Sequence, residues 1–408
     1  MSEWQKVNLG DCCEITSSKR IFFSEYVESG IPFYRSKEII EKGKGEEISH
    51  PLYISKEKYD EIKGKYGVPQ KGDLLLTAVG SLGIPFVVKD DSPFYFKDGN
   101  LVWLKHFQDI DPIFLYYWIK SENGYNALYN IAIGSAQKAL TIAAIKGYEI
   151  PLPPLQPQHR IATILSHYDS LIENYQKQIK LLEEAAQRLY KEWFVDLRFP
   201  GHENTKIVDG LPEGWEKKKI SDVCTMIGAG STPSRRNNAY WDDGNIRWVK
   251  TKELLDNWIF DTEEYITEEG LNNSSTKMFP VNTILMAIYA SPTLGRLGIL
   301  AQECCCNQAA LGLVANEKLI SWVWLYLKLF ELRDEFNAVA RGAGQQNISG
   351  VVVKNWEITV PNKKTIEDFA KMAKPYFENA KFLQSQLRLL TEARDRLLPK
   401  LMSGEITV

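Results

Sequence analysis

The stretch QIKLLEEAAQRLYKEWF at residues 178–194 reads as a helix, and the chain repeats it as QLRLLTEARDRLLPKLM at residues 386–402. The two copies align without a gap from Gly134 and Gly342 to the helix ends, and 16 of the 61 aligned pairs are identical. Self-similarity at a fixed offset is the signature of a repeat, so the 408-residue chain is a tandem duplication.

The similarity continues upstream of the helices with small insertions. Trp4 and Cys13 match Trp215 and Cys224, and IPFYRSKEI at residues 31–39 matches IRWVKTKEL at residues 246–254. Each repeat is therefore a globular part followed by a long helix. The predicted segments are a first globular domain at 1–152, a first long helix at 153–195, a polar Pro- and Gly-containing connector at 196–212, a second globular domain at 213–361, and a second long helix with its tail at 362–408.

The globular parts read as mixed helix and strand. The apolar runs DLLLTAVG and TILMAIYA favour strands, and YEIPLPP and WEITVPN favour strands that lead into the long helices. Residues 114–129 and 321–340 read as helices. The predicted fold class is α+β, with two similar α/β domains separated by an antiparallel two-helix coiled coil in a pseudo-two-fold tandem repeat.

Apolar residues recur every seven positions along both long helices, with a second set three positions later, which is the pattern of a coiled coil. Pairing of two such long helices is favoured over the alternative, in which each amphipathic helix packs on its own domain. Pro375 predicts a kink or a new helix start, because proline removes a backbone donor. The interface prediction comprises Ile161, Ile164, Tyr168, Leu171, Tyr175, Gln178, Leu182 and Leu189 in the first helix, and Phe369, Tyr376, Leu383, Gln386, Leu390 and Leu397 in the second.

Two equivalent helices of one chain are expected to pair as an antiparallel pseudo-dimer. A helix of about 36 residues is roughly 54 Å long, which corresponds to about 16 base pairs of DNA. The helices are thus predicted to be a spacer that presents two unlike domains to two half-sites.

Composition excludes several classes of protein. The chain is 44% hydrophobic and 25% charged, with a net charge of −3, as in ordinary globular proteins. It contains no apolar run long enough for a membrane span and no secretory signal, and its six cysteines show no metal-ligand spacing. These features favour free thiols in the cytoplasm and no membrane contact.

Catalytic signatures are missing from the sequence. There is no phosphate-binding GxxxxGK[ST] loop, and no Asn-Pro-Pro-aromatic motif of base methylation, since Leu152 precedes Pro153 and Pro154. Two ExK triplets occur, but that pattern is too common to indicate a nuclease. The five histidines form no metal cluster, so neither catalytic residues nor a metal site are predicted.

Side chains suited to base edges are scattered through both globular parts. Arginine pairs with guanine, and asparagine or glutamine with adenine, although each such residue could equally be a solvated surface group. The candidate DNA-binding residues are Lys19, Arg20, Arg35, Lys37, Gln137 and Lys138 in the first repeat, and Arg235, Arg236, Arg247, Lys250, Lys252, Arg296, Gln345, Gln346 and Asn347 in the second.

The whole chain resembles the specificity subunit of Type I restriction–modification enzymes. The resemblance is carried by IPLPPLQPQHRIATILSHYDSLIE, LLTEARDRLLPKLMSGEI, GAGSTPSRRNNAYWDDGNIRWVKTKEL at residues 228–254 and GDLLLTAVGSLG at residues 72–83. Ala78 and Val79 depart from it, since relatives often carry polar residues there.

The resemblance implies a non-catalytic subunit whose two target recognition domains each read half of a bipartite, asymmetric site in double-stranded DNA. It implies two methyltransferase subunits and restriction/translocase subunits as partners, with S-adenosylmethionine, ATP and magnesium on those partners and no cofactor in this chain. The alternatives are a stand-alone DNA-binding regulator and, with less support from motifs, a nuclease or methyltransferase acting alone.

Overall fold

A computed structural model describes residues 4–46, 48, 50–134, 138–289, 293–340 and 347–408. The chain divides into two compact units. Unit 1 comprises Met1–Asn174 and Arg388–Val408, and unit 2 comprises Tyr175–Leu387. Each unit therefore contains one globular part together with segments of both long helices.

The strands are short and are numbered in chain order. They are β1 Gln5–Asn8, β2 Glu14–Thr16, β3 Tyr26–Val27, β4 Ile31–Tyr34, β5 Leu52–Ile54, β6 Leu74–Thr77, β7 Pro85–Val87, β8 Tyr95–Phe96, β9 Leu101–Lys105, β10 Glu149–Leu152, β11 Ile207–Val208, β12 Leu211–Pro212, β13 Glu216–Lys219, β14 Cys224–Ala229, β15 Ile246–Val249, β16 Asn257–Ile259, β17 Glu264–Ile266, β18 Ile284–Ala287, β19 Leu297–Leu300, β20 Cys305–Cys306, β21 Ala310–Ala315 and β22 Glu357–Val360.

The α-helices include two that are far longer than the rest, α7 and α12. The set is α1 Leu9–Cys12, α2 Ser36–Gly43, α3 Lys56–Tyr66, α4 Pro112–Lys120, α5 Glu122–Ile131, α6 Ile142–Lys146, α7 Leu155–Tyr190, α8 Glu268–Asn272, α9 Trp322–Glu331, α10 Arg333–Val339, α11 Gly350–Asn355 and α12 Lys363–Met402. A turn of π-helix at Lys191–Val195 follows α7.

The described residues of unit 1 form three small sheets. One is the antiparallel pair β1–β10, the second has the order β2-β9-β6-β7 and is antiparallel throughout, and the third has the order β3-β5-β4-β8 with β4 and β8 parallel. All four residues of β6 are buried, as expected for a central strand covered on both faces. The strand predicted in DLLLTAVG is confirmed.

Unit 2 repeats this topology. The pair β13–β22 corresponds to β1–β10, the order β14-β21-β18-β19 corresponds to β2-β9-β6-β7, and β17-β15-β20 corresponds to β5-β4-β8. Unit 2 also adds β16 as a parallel strand beside β19. The shared strand order confirms the tandem duplication at the level of the fold.

Local sequence explains where the predicted domain helices begin and divide. Asp111 caps α4 by accepting hydrogen bonds from the backbone N–H groups of Ile113 and Phe114, and Pro112 occupies the first helical position. Ser121 ends α4 and caps α5. The single helical patch expected at residues 114–129 is therefore two helices, and the patch at residues 321–340 likewise divides into α9 and α10.

Segments of α7 and α12 run antiparallel in unit 1. Ile161 and Leu165, near the start of α7, share one apolar core with Leu401 and Met402 at the end of α12. Further along α7, the Asp169 carboxylate lies 2.7 Å from the guanidinium of Arg394, which precedes Leu401. The two helix segments therefore run in opposite directions.

Unit 2 shows the same antiparallel arrangement with the opposite helix ends. The ring centres of Tyr190 and Phe369 are 6.1 Å apart, and those of Trp193 and Phe369 are 5.8 Å apart. Earlier in α7, Ala186 lines a cavity with Phe377 and Ala380, which lie later in α12. The antiparallel two-helix prediction is confirmed within each unit.

The burial pattern corrects one part of the predicted helix interface. The deeply buried positions on α7 are Leu165, Ile172, Ile179 and Ala186, each one residue after the predicted second set. Leu171 is 43% exposed, and Gln178 is also exposed. From Ile161 onward, successive core positions on α7 are therefore spaced alternately four and three residues apart, whereas the predicted spacing was three residues and then four.

The second long helix shows the same shift in its register. Ala373 and Ala380 are buried beside Phe369, whereas Met372 is 49% exposed. The remaining predicted interface residues of both helices lie on the partly buried flank of this stripe: Ile164, Tyr168, Tyr175, Leu182, Leu189, Tyr376, Leu383, Gln386, Leu390 and Leu397.

Of the two outcomes predicted at Pro375, a new helix start is wrong, because α12 continues through it from Lys363 to Met402, and a kink stays a prediction. Proline costs a helix about 3 kcal/mol or more through its missing donor and its clash with the preceding turn. The buried side chains of Ala373 and Phe377 flank Pro375 and anchor both sides of it to the core of unit 2. Their packing offsets that cost.

All six cysteines are free thiols, and all but Cys224 are fully buried. Burial raises the pKa of Cys13, Cys224, Cys304 and Cys305 to about 12. Within the described ranges, no helix combines the length and the apolar character that crossing a bilayer requires.

The corrected register predicts different costs for two neighbouring substitutions. Ile172→Ala removes a side chain that is 8% exposed and should lower the free energy of unfolding by about 2–4 kcal/mol. The matched control Leu171→Ala should cost less than about 1 kcal/mol, because that side chain is largely solvated. Urea titration followed by circular dichroism measures both, and a larger loss for Leu171→Ala would restore the original register.

Candidate nucleic-acid interface

Two parallel strands end side by side in unit 1. Arg35 directly follows β4, and Lys97 and Asp98 directly follow β8. The Lys97 backbone N–H donates to the Tyr34 carbonyl at 2.8 Å, which keeps the two strand ends adjacent. We call the residues that follow these strands, Arg35, Lys97 and Asp98, the β4–β8 edge.

Unit 2 builds the same feature from different residues. Lys250 follows β15, and Asn307 and Gln308 follow β20, which runs parallel to β15. The Asn307 N–H donates to the Val249 carbonyl at 3.0 Å, in the place of the Lys97 bond of unit 1. We call Lys250, Asn307 and Gln308 the β15–β20 edge.

Arg35 is held at the β4–β8 edge by its own helix. The Glu38 side chain is only 2% exposed and accepts a 2.8 Å hydrogen bond from the Arg35 backbone N–H. It also forms an ion pair with the Arg35 guanidinium. Burial raises the pKa of Glu38, but these hydrogen bonds outweigh that effect and leave its pKa lowered. Lys37 is more exposed and pairs with Glu41 at 3.5 Å.

The loop after β2 reaches the same edge of unit 1. Arg20 donates a 2.8 Å hydrogen bond to Asp98, so the structure brings Arg20 and the β4–β8 edge together. The Lys19 ammonium lies 4.7 Å from the Tyr66 ring centre, and its backbone N–H donates to the Tyr95 hydroxyl at 2.6 Å. The loop is therefore tied down by both backbone and side-chain contacts.

The corresponding loop of unit 2 packs its arginine between aromatic rings. The Arg235 guanidinium lies 3.5 Å from the Trp241 ring centre and 5.0 Å from that of Trp248, and it forms an ion pair with Glu264. Cation–π contacts of this kind orient a guanidinium while leaving its outer donors available. Arg236 is exposed and forms no ion pair with any residue in the described part of the chain.

Three carboxylates face the predicted cations of unit 2. The Lys250 ammonium lies 2.6 Å from Glu264 and 3.4 Å from Glu263, and Lys252 lies 2.6 Å from Glu263. Arg247 pairs with Asp261 at 3.3 Å. We call Asp261, Glu263 and Glu264 the acidic strip.

The cations keep the glutamates of this strip ionised. The hydrogen bond from Lys252 lowers the pKa of Glu263. Burial raises the pKa of Glu264, but the hydrogen bonds from Lys250 and Arg235 outweigh it and lower the net pKa. The predicted cations that face this strip are thus already compensated, and a DNA phosphate approaching them must compete with carboxylates.

The other candidates lie beside the second sheet of each unit. Lys138 sits 3.7 Å from the Tyr129 ring centre, next to Ala139, which bridges to Val79 after β6. Asn347 is exposed and bridges to Tyr289 after β18, the equivalent strand of unit 2. Arg296 is half-buried immediately before β19. Gln137, Gln345 and Gln346 lie outside the described residues.

Sequence reasoning missed the residues that follow β8 and β20. Gln308 is exposed, and its side-chain oxygen accepts a 2.6 Å hydrogen bond from Thr232. Lys97 is one-third exposed beside Asp98. Aligning Phe96–Asp98 with Cys306–Gln308 through the repeat would have found both, because each triplet ends a short strand parallel to a matched one.

A glycine brings the Arg235 loop against the β15–β20 edge. A Cβ on Gly230 would lie 2.0 Å from the Cys306 carbonyl oxygen, so no other residue fits there unchanged. The Ser231 carbonyl next to it accepts a 2.9 Å hydrogen bond from the Trp248 indole. Among the described residues, no group of histidine, cysteine and carboxylate side chains could hold a metal ion.

The family model of the Type I restriction modification DNA specificity domain matches residues 1–184 and 212–389, which are the two repeats. The chain belongs to this family. The resemblance seen in the sequence is therefore confirmed, and the chain is a non-catalytic specificity subunit rather than an enzyme.

Individual relatives agree with this assignment over most of the chain. The MjaIX specificity subunit of Methanocaldococcus jannaschii is 29% identical over 83% of this chain and 78% of its own length. The HindI specificity subunit of Haemophilus influenzae is 23% identical over the full length of both. The crystal structure of the S subunit from M. genitalium superposes with a TM-score of 0.68 at 16% identity, covering 98% of this chain and 96% of that one.

Removing one carboxylate of the acidic strip should strengthen DNA binding. Glu264→Gln leaves Arg235 and Lys250 without their shared counter-charge, so affinity for random-sequence duplex should rise and its salt dependence should steepen by about one unit of slope. Fluorescence anisotropy at several salt concentrations measures both. Glu367→Gln, which makes the same charge change on α12, is the control, and an equal effect there would mean that net charge alone is responsible.

The close approach at Gly230 predicts that its substitution by alanine costs more stability than the same substitution at Gly228. Gly230→Ala should destabilise unit 2 by about 1–3 kcal/mol, since its Cβ meets rigid backbone. Gly228→Ala is the control, because the nearest atom to its Cβ is the flexible Lys277 ammonium at 3.3 Å. Thermal unfolding compares them, and equal melting temperatures would contradict the steric argument.

Proposed function

We propose that this chain reads a bipartite, asymmetric site in double-stranded DNA, with the globular part of unit 1 contacting one half-site and that of unit 2 the other. The observation that carries this proposal is that the two units share one topology but have different side chains at equivalent positions. The β4–β8 edge offers Arg35, Lys97 and Asp98, whereas the β15–β20 edge offers Lys250, Asn307 and Gln308.

These differences match the different donor and acceptor patterns of base pairs in the major groove. An arginine pairs through two hydrogen bonds with guanine, and an asparagine or glutamine pairs likewise with adenine. Arg35 and Arg20 suit the first pattern, and Asn307 and Gln308 suit the second. Unlike edges on one chain therefore favour unlike half-sites.

We further propose that the chain docks two methyltransferase subunits and restriction/translocase subunits. S-adenosylmethionine, ATP and magnesium would then belong to those partners, and this chain would carry no cofactor. The net charge of −3 and the acidic strip support this division. Tight DNA binding requires many uncompensated cations near phosphates, and partner subunits would supply those that this chain lacks.

The long helices are the elements to which we assign partner docking and the unread gap of the DNA site. Their outward faces carry exposed apolar side chains: Leu171 and Leu181 on α7, and Met372, Phe382 and Leu389 on α12, between 43% and 63% exposed. Exposed apolar surface is where protein–protein contacts commonly form, and this supports assigning partner docking to these helices.

Mapping methylated adenines in DNA from cells that carry this chain with its cognate partners tests the proposal. We expect methylation at a two-part sequence with an unspecified gap. Replacing residues 1–152 with the equivalent domain of a relative should change one half of that sequence and leave the other half unchanged.

Loss of both halves in this exchange would contradict independent reading by the two domains. Methylation without any two-part consensus would contradict a bipartite site. Tight, sequence-specific binding by the purified chain alone, with no effect of the methyltransferase subunits, would favour the stand-alone regulator instead.

A further inference from the structure

Unit 2 contains a cavity of about 180 Å³ between the long helices and the globular part. Its walls come from α7, α9, α12, β16 and β19, and they are rich in aromatic rings. The aromatic lining residues are Trp258, Tyr326, Phe330, Tyr376 and Phe377. A dry cavity of about 150 Å³ admits benzene, so this space holds a small organic group.

Glu183 on α7 places an unpaired carboxyl group in the lining of this cavity. It makes no hydrogen bond or ion pair with any residue that the structure describes. The other acid of the lining, Asp256, is compensated by an ion pair with Arg333, and its carbonyl accepts a 2.8 Å hydrogen bond from Tyr326. The cavity therefore contains one carboxyl group that no described side chain compensates.

The cations near the cavity pair with groups other than Glu183, and one of them, Lys381, contacts the lining ring of Trp258. On α12, the Lys381 ammonium lies 4.5 Å from the Trp258 ring centre, and on α9, Lys328 pairs with Glu331 at 2.8 Å. On α7 itself, Lys180 is exposed and pairs with Glu184 at 3.8 Å. No basic side chain of the described part of unit 2 neutralises Glu183.

At the equivalent position of unit 1, the two long helices are joined by an ion pair that unit 2 lacks. There the Arg394 guanidinium lies 2.7 Å from the Asp169 carboxylate, which also accepts a 2.7 Å hydrogen bond from the Tyr117 hydroxyl. The gapless helix alignment pairs Arg394 with Ala186 and Asp169 with Phe377. Both of those residues line the unit 2 cavity, so unit 2 lacks both members of the unit 1 ion pair at this position. Glu183, one helical turn before Ala186, is a carboxyl group of unit 2 alone, because Thr391 takes its place in the alignment.

We propose that the unit 2 cavity binds an organic cation, a guanidinium or ammonium group on a short alkyl chain, with Glu183 as its counter-ion. Aromatic faces attract such cations electrostatically, and a carboxylate adds a charge-assisted hydrogen bond. The bound cation takes the place that Arg394 occupies in unit 1. This inference rests on the cavity and the repeat alone, and it stands whether or not the proposed DNA function holds.

Titration of the full-length chain with methylguanidinium and with butylammonium tests the site, using saturation-transfer NMR and calorimetry. We expect saturable binding that Glu183→Gln weakens about tenfold or more, as loss of a charged hydrogen-bond partner does. The matched control is Glu184→Gln, the exposed neighbour on the same helix, which should bind like the unmodified chain.

The pH dependence gives an independent readout. Burial, reinforced by the nearby charge of Asp256, raises the pKa of Glu183 to about 7. The ionised carboxylate is the form that binds a cation, so affinity should increase as pH rises through about 7. Glu183→Gln should remove this increase, and Glu184→Gln should keep it.

Filling the cavity provides a second variant that retains the charge. Ala186→Met places an uncharged chain where Arg394 lies in unit 1, and it should block both probes while Glu183 stays in place. The proposal is overturned if neither probe binds saturably to the unmodified chain, or if Glu183→Gln binds as tightly as that chain does.

The source of the natural cation is decided by repeating the titration on the complex with the cognate methyltransferase subunits. Exclusion of the probes there shows that a partner subunit fills or covers the cavity, which supports a lysine or arginine side chain of that partner as the occupant. Unchanged access in the complex identifies a free cation, such as a small amine.

Discussion

Apolar side chains at seven-residue intervals join the two long helices within each unit, and the globular parts depend on that contact. In unit 1, Ile161 and Leu165 of α7 meet Leu401 and Met402 of α12 in the same core that contains Phe114 of α4. Side chains from widely separated parts of the sequence thus complete one core. The strands β4 and β8 pack in a separate cluster, in which Tyr34 and Phe96 contact Leu75 and Trp103 of the second sheet.

The same dependence on tertiary contact governs the electrostatics of the candidate interface. Lys250 and Arg235 come together because Trp248 pairs with Glu264 across the antiparallel strands β15 and β17. That pairing places a carboxylate where a protein binding DNA by charge alone would have none. Compensated cations favour discrimination over raw affinity, because each must exchange its carboxylate for a suitable base or phosphate.

Much of this architecture could be predicted from the sequence. The duplication, the strands around Leu75 and Leu285 and the long helices were accessible because periodicity and internal alignment report them directly. The helix register was not, because Ile164 and Leu165, like Leu171 and Ile172, are adjacent apolar residues that satisfy either spacing. Ile179 beside Gln178 was an informative pair, as were Trp193 beside Glu192 and Leu401 beside Lys400.

The candidate site was harder to predict, for a physical reason. Individual basic residues such as Arg235 and Lys250 are visible in the sequence, but their neutralisation by Glu264 depends on strand register. Asn307 and Gln308 of the β15–β20 edge were missed because β20 is only two residues long, and its neighbour in space is separated from it by more than fifty positions. The new helix start expected at Pro375 was wrong for a related reason, since core packing outweighed a local backbone preference.

The burial of the cysteines has a practical consequence. A thiol with a pKa near 12 is almost entirely protonated at neutral pH, and only the thiolate reacts quickly with maleimides. The native chain is therefore nearly silent toward such reagents while it is folded. A single cysteine placed on a solvent-facing loop would accept a dye or spin label selectively, so distances in this protein are open to spectroscopy without first removing its own sulfur atoms.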